Sequence, residues 1–196
     1  RARADEPMQL REIWSAPLDF FATGAPLAVD GPDSDTTMAD QLSQPASVEV
    51  AAADLAADPE LAAAFLYWTG SVEDDECGGL TVDDTVTFTP PGGTAGTVLA
   101  DVCYCSDAAA TSYDVQACRA DVTDLIEEIT GTYTVGGFNA QITNSATSNA
   151  SFSIILVYGS PDLLPHRIAI YDGLYTMSSE VDASEVMTLD GLEIDN

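Results

Sequence analysis

The sequence predicts an all-β protein, a single β-sandwich of jelly-roll type carrying one short α-helix near residues 121–129. Three observations lead there. Runs rich in Val, Ile, Thr, Tyr and Phe recur along the chain and are closed by Gly, Pro, Asn and Asp, the pattern of many strands with tight connections. One run, residues 151–158 (SFSIILVY), sets Phe152, Ile154, Leu156 and Tyr158 on one face and Ile155 and Val157 on the other, so its second half is apolar on both sides and belongs inside a core. A chain of 196 residues is also long enough to bury one core without help from a metal.

Taken in order, residues 1–17 are of mixed polarity, with Ile13 and Trp14 as their large apolar pair, and read as an extended arm ahead of a sandwich domain over 18–196. Such an arm lies on its own domain or enters a neighbouring subunit as an added strand, with Gln9, Leu10, Arg11, Ile13 and Trp14 as the assembly residues. Residues 18–24 (LDFFATG) form the first strand of the body, and residues 47–50 form a short one. Asp58-Pro59-Glu60 has the chemistry of a helix start, predicting a helical turn that ends near Ala62 before a buried strand over 63–69. Further strands are expected at 81–89, stopped by Pro90-Pro91-Gly92-Gly93, and at 97–105.

In residues 121–129 (DVTDLIEEI), Val122, Leu125, Ile126 and Ile129 share a helical face, Asp121 stands as N-cap and Gly131 lies beyond the end. Short strands follow at 132–135 and 141–142. Residues 151–176 then read as two paired strands joined by the turn residues Gly159, Ser160, Pro161 and Asp162.

Charge narrows the partners. Asp and Glu number 33 against 5 arginines and no lysine, for a net charge of −28. That balance excludes nucleic acid and disfavours anionic membrane surfaces. It also calls for screening or bridging cations, since a Debye length of about 3 Å at 1 M salt removes most of the self-repulsion. The absence of lysine beside so many carboxylates resembles the composition of salt-adapted proteins, with an ordinary acidic secreted protein as the competing reading. No apolar run approaches the length of a membrane helix, so no membrane insertion is expected. The opening Arg1-Ala2-Arg3-Ala4 lacks an initiator Met, which suggests a processed end or an arbitrary boundary.

Cys77, Cys103, Cys105 and Cys118 are even in number and predict disulfides, and with them an oxidising, extracellular setting. Zinc is the competitor, weakened by the lack of a second CxxC and of a nearby histidine. Cys103 and Cys105 would share a strand face and so bond to different partners across a loop.

Catalytic patterns are lacking, and no enzymatic activity is expected: His166 is the lone histidine and reads as a surface or packing residue. Arg167 is expected to pair with a carboxylate. Tyr67, Trp68, Tyr104, Tyr158, Tyr171 and Tyr175 at strand spacing read as core rather than as a sugar platform. The acidic loops holding Asp30, Asp33 and Asp35, and Asp74, Asp75 and Glu76, read first as solvated turns and second as calcium ligands, without the EF-hand spacing. Asn149-Ala150-Ser151 is a glycosylation sequon, for which a plain polar turn is the competing reading.

AFLYWTGS (64–71), VTFTPPGG (86–93), ADVTDLI (120–126), GTYTVGGF (131–138) and ILVYGSPDLLPHRIAIYDGL (155–174), in that order, resemble an uncharacterised β-rich domain of secreted, adhesin-like bacterial surface proteins. The resemblance covers roughly residues 18–176 and carries no catalytic residue. The cysteine region and the extreme charge depart from it. Arm, disulfides and resemblance together predict a secreted structural subunit that forms a filament, sheath or surface layer from copies of itself, with no required cofactor. The alternative is a calcium-dependent module that binds surface glycans.

Overall fold

The computed structural model describes residues 6–32, 39–73, 82–106, 113–142, 148–175 and 186–189. Within them every regular element is a strand or a single 3-10 turn. A five-stranded sheet runs in the order β2 (Leu18–Pro26), β12 (Ala150–Gly159), β6 (Glu60–Glu73), β10 (Tyr113–Asp121), β9 (Val102–Ser106). A four-stranded sheet faces it in the order β5 (Ala46–Val50), β11 (Gly131–Gly136), β7 (Thr85–Thr89), β8 (Gly96–Leu99). β1 (Glu6–Ala16) pairs with β13 (His166–Leu174) as a separate ribbon, and β3 (Ala28–Val29) with β4 (Gln41–Leu42) as a minor one. The sheets are antiparallel throughout and open at their edges.

The four-stranded sheet is apolar on one face only. β7 (TVTFT) buries Val86 and Phe88 between less buried threonines, and β11 buries Tyr133 and Val135 between Thr132 and Thr134. Those inward residues meet Leu66 and Trp68 of β6 and Phe152, Ile154 and Leu156 of β12, forming the main core. The five-stranded sheet is apolar on its other face as well: Ala63 and Phe65 of β6 and Val157 of β12 form a second, smaller core with Ile170 of β13, against which Trp14, Leu18 and Ile168 pack. The β1–β13 ribbon therefore makes a third layer, and the two-sided apolar pattern read in residues 151–158 finds its explanation there.

The ribbon is a continuation of the body. β2 pairs with β12 from Leu18↔Gly159 to Pro26↔Ser151, and β1 pairs with β13 from Ala16↔His166 to Glu6↔Leu174. Both chains bend at the same place, one at Pro17 and the other through residues 160–165, so one long antiparallel ladder folds over onto the sheet it came from. Residues 151–176 are thus not a hairpin, as their sequence suggested. The Gly-Ser-Pro-Asp turn chemistry serves a corner between layers, and each strand finds its partners far away in sequence, from Ala150↔Gly70 to Glu6↔Leu174.

Other expectations are corrected too. No helix forms over 121–129, where the structure has a 3-10 turn at Thr123–Leu125 and Ile126 is already extended. Asp121 Oδ1 accepts from Thr123 N (2.9 Å) and Thr123 Oγ1 (2.6 Å), and Thr123 Oγ1 accepts from Ala64 N (2.9 Å). These side-chain bonds compete with a helical backbone and tie the segment to β6. Val122 and Ile126 are buried as drawn, but Leu125 is 49% exposed. Gly131 does not end a helix; it opens β11 at φ +123°, against Pro91, where a side chain would not fit. The helical turn expected before Ala62 is absent: Asp58 takes φ +49° and β6 begins at Glu60, paired with Gly159. The strand expected over 97–105 is two, because the chain crosses between the facing sheets at Ala100 and Asp101, whose N–H groups donate to Asp84 O and Arg119 O at 2.8 Å each. Residues 141–142 form no strand, Gln141 making a single bond to Ser71 O. β7 begins at Thr85 because Asp83, upstream, is pinned from below: Gln116, fully buried, accepts from Asp83 N (2.9 Å) and donates to Asp83 O (2.8 Å), where Trp68 Nε1 also donates (3.1 Å).

Candidate functional site: a buried ion cluster under the ribbon

A chain with 33 acidic and 5 basic residues has few cations to place, so their positions are informative. Two of the arginines converge on one aspartate. Asp172, on β13 and 5% exposed, faces the five-stranded sheet. Arg11 of β1 donates through Nε to Asp172 Oδ1 and through Nη2 to Tyr104 Oη, and Tyr104 Oη donates to Asp172 Oδ1 at 2.6 Å. Arg119 of β10 approaches the other carboxylate oxygen, Nε to Oδ2, at 3.4 Å.

The geometry follows from the strands. Alternation on β9 turns Tyr104 outward while Cys103 and Cys105 face the interior, and the β10–β6 register sets Arg119 opposite Tyr67 on the outer face. A register shift in β1 between Leu10 and Glu12 accompanies the inward turn of Arg11. The aromatic rings complete the box, with Arg11 Cζ 5.7 Å from the Tyr104 centroid and Arg119 Cζ 5.4 Å from that of Phe65.

The electrostatics are those of a sealed ion group. The hydrogen bond to Asp172 raises the Arg11 pKa above its ordinary value. Burial, then the hydrogen bond to Asp172, pushes Tyr104 up to about 12. Burial, then the Asp172 charge, pushes Tyr67 up to about 12 as well. Tyr67 Oη, Arg119 Nε and Asp172 Oδ2 are buried without a hydrogen-bond partner, so the ion pair is not fully satisfied. Two guanidinium groups share one carboxylate under the ribbon, an arrangement suited to holding layers in register.

The other predicted residues are dispersed. Cys103 and Cys118 stand directly opposite on β9 and β10, Cα atoms 4.1 Å apart, and form a disulfide across adjacent strands. Cys105 is disulfide-bonded too, and Cys77 lies outside the described residues. Asp33, Asp35, Asp74, Asp75 and Glu76 also lie outside them. Asp30 is exposed, and Asp40 rather than Asp30 accepts from Gly31 N at 2.7 Å. Among the described residues no group of three or more His, Cys, Asp or Glu is arranged to hold a metal. Asn149 is exposed where β12 begins, its main chain bonded to Ser71. His166 sits at the corner, Nδ1 3.0 Å from Leu18 O. Arg167 is exposed beside it, and Arg119 approaches Asp172. Of the six aromatics, Trp68, Tyr104 and Tyr158 are buried and the others half-buried.

Gln9, Leu10, Ile13 and Trp14 all lie in β1, with Trp14 tilted against Phe65 at 6.4 Å between centroids and Leu10 and Ile13 39% and 37% exposed on the ribbon. Tyr104, Arg119 and Asp172 went unnoticed as a unit. The signals were a lone Asp within the apolar run RIAIYDGL and an internal arginine in a lysine-free chain. No helix among the described residues is long and apolar enough to cross a membrane. The chain matches no known family model, no curated protein and no solved structure.

Proposed function

We propose that the protein is a secreted structural subunit that assembles with copies of itself into an extracellular filament, sheath or surface layer, β1 being the connecting strand. The observation that carries this reading is how β1 is held. It is an 11-residue strand that, among the described residues, pairs with one strand only, β13, and joins the body through a bend at Pro17. Its anchors, Arg11 and Trp14, dock on Asp172 of β13 and on Tyr104 and Phe65 of the five-stranded sheet, none of which belongs to β1. The same strand from a second copy finds the same partners, so exchange costs little beyond the entropy of association. The open sheet edges, the interior disulfide and the likeness of the strand motifs to secreted surface domains favour the same reading, with the facing sheets taken as a jelly-roll-type sandwich. Screening by salt or bridging by cations lets so acidic a subunit pack closely.

The test locks β1 at home. Ile13 and Ala169 are directly paired, and Ile13→Cys with Ala169→Cys closes a bond across the ribbon. The locked protein is expected to stay monomeric in molar salt while the unlocked protein forms ordered polymers in electron micrographs. Polymers of unchanged form from the locked protein would remove β1 as the connector, and an unlocked protein that stays monomeric in salt and in calcium would remove the assembly reading.

A further inference from the structure

Away from the ion cluster, a groove of about 650 Å³ runs between β1, the end of β8 and the Thr123–Leu125 turn. Trp14, Leu99 and Leu125 give it apolar surface, and Glu12, Asp121 and Asp124 supply carboxylates. A second hollow of about 450 Å³ shares Asp124 and Leu125, adds Glu127, and continues it past the Pro90–Gly93 turn. Among the described residues, no basic side chain lines either. Leu99 is 63% and Leu125 49% exposed, so apolar surface lies open inside an acidic rim. Its complement is an extended segment that is cationic and otherwise small.

This chain contains one such segment. Arg11 and Arg119 are committed to Asp172, and Arg167 lies on the corner next to His166. The remaining two of the five arginines are Arg1 and Arg3, alternating with Ala2 and Ala4. In an extended segment such alternation sets both guanidinium groups on one side, about 7 Å apart, with the methyl groups on the other. Reach decides which copy supplies it. From Glu6, five extended residues span about 17 Å at most, whereas β1 covers about 20 Å between Glu6 and Glu12 alone. A segment turning back along its own strand runs out before both arginines reach the rim, and one from another molecule has no such limit.

We propose that this groove receives residues 1–4 of a second copy, with Arg1 and Arg3 set against Glu12, Asp121 and Asp124. The inference rests on the assembly reading above and names one of its contacts. It explains why a chain so poor in cations carries two of them together.

Trp14 reports the binding, because the other tryptophan, Trp68, is fully buried. A peptide of residues 1–7 is titrated into the intact protein at about 0.15 M salt, where charges still act over about 8 Å. A saturable change in Trp14 emission is expected, absent in Trp14→Phe and weakened about tenfold or more in Asp121→Asn with Asp124→Asn. The peptide carrying Arg1→Gln and Arg3→Gln is expected not to bind. No saturable change, or equal binding of the glutamine peptide, overturns the proposal. The outcome is separable from the assembly test: polymers that form without peptide binding sink the groove alone, and peptide binding by a protein that never polymerises sinks the assembly reading alone.

Discussion

The two faces of the five-stranded sheet are built on different principles. Toward β5, β7, β8 and β11 the sheet buries Trp68, Leu66, Phe152, Ile154 and Leu156 against Phe88, Tyr133 and Val135, a contiguous apolar interior stitched by the Cys103–Cys118 disulfide. Toward the ribbon it offers a small apolar cluster around Phe65 and Val157, and beside it the charged group of Arg11, Arg119 and Asp172. The first layer is held by non-directional burial that rewards any close fit. The second depends on a few directional contacts specific to register, of which those of Arg11 and Trp14 come from β1. The difference is between a layer held by burial and a layer tied down largely by charge.

The largest expected effect breaks the apolar layer. Trp68→Ala removes a fully buried ring and the indole bond to Asp83 O, and it should cost about 3–5 kcal/mol, seen as a fall in global stability by denaturant titration. Asp172→Asn should follow at about 2 kcal/mol, because two half-buried guanidinium groups lose their counterion. Its signature differs from that of Trp68→Ala: hydrogen exchange should accelerate in β1 and β13 while β6, β11 and β12 keep their protection. Uniform acceleration throughout would show that the two layers form one cooperative unit and would end the distinction.

How much of this was legible depends on range. The all-β class was written in local composition, and the two-sided burial of residues 151–158 could be read from their alternation alone. The partners could not. Gly159, Ser160, Pro161 and Asp162 would suit a hairpin or a corner equally, and what selects the corner is β1, some 150 residues earlier. The helix drawn over 121–129 had the right spacing but the wrong physics. Asp121, expected as the N-cap, and Thr123 spend their side chains on local bonds and on Ala64, leaving Leu125 about half exposed. Arg11 reads from the sequence as part of the arm and Arg167 as a cation that pairs with a carboxylate, whereas Asp172 is one acid among 33. Only the register that brings β1, β9, β10 and β13 together distinguishes it.

Alkaline pH should separate the layers more gently. Tyr67 and Tyr104, both under the ribbon, have folded values raised to about 12 from an ordinary 10, so their protonated forms are favoured in the fold. Their contribution is fully present below pH 10 and is lost as pH rises from 10 through 12. Tyr133, in the main core, is pushed up by burial alone and further still, so it resists ionisation longest. Absorbance titration of phenolate should therefore show ribbon tyrosines ionising before Tyr133, with β1 exchange rising in the same interval. Simultaneous ionisation would mean that the layers open together.

The smallest effect is the sharpest probe of how imperfect the charged layer is. Tyr67 Oη lies buried between Arg119 and Asp172 without a hydrogen-bond partner, so its hydroxyl pays desolvation and receives nothing back. Tyr67→Phe keeps the ring in place beside Phe65 and deletes only that oxygen. Stability should stay level or rise by up to about 1 kcal/mol. Tyr104→Phe, which removes the donor to Asp172 and the acceptor for Arg11, should instead fall by about 1–3 kcal/mol, with loosening confined to the ribbon. If both tyrosines behave alike in thermal unfolding, the hydroxyl of Tyr67 has a partner after all, and the ribbon layer is as well satisfied as the core it lies upon.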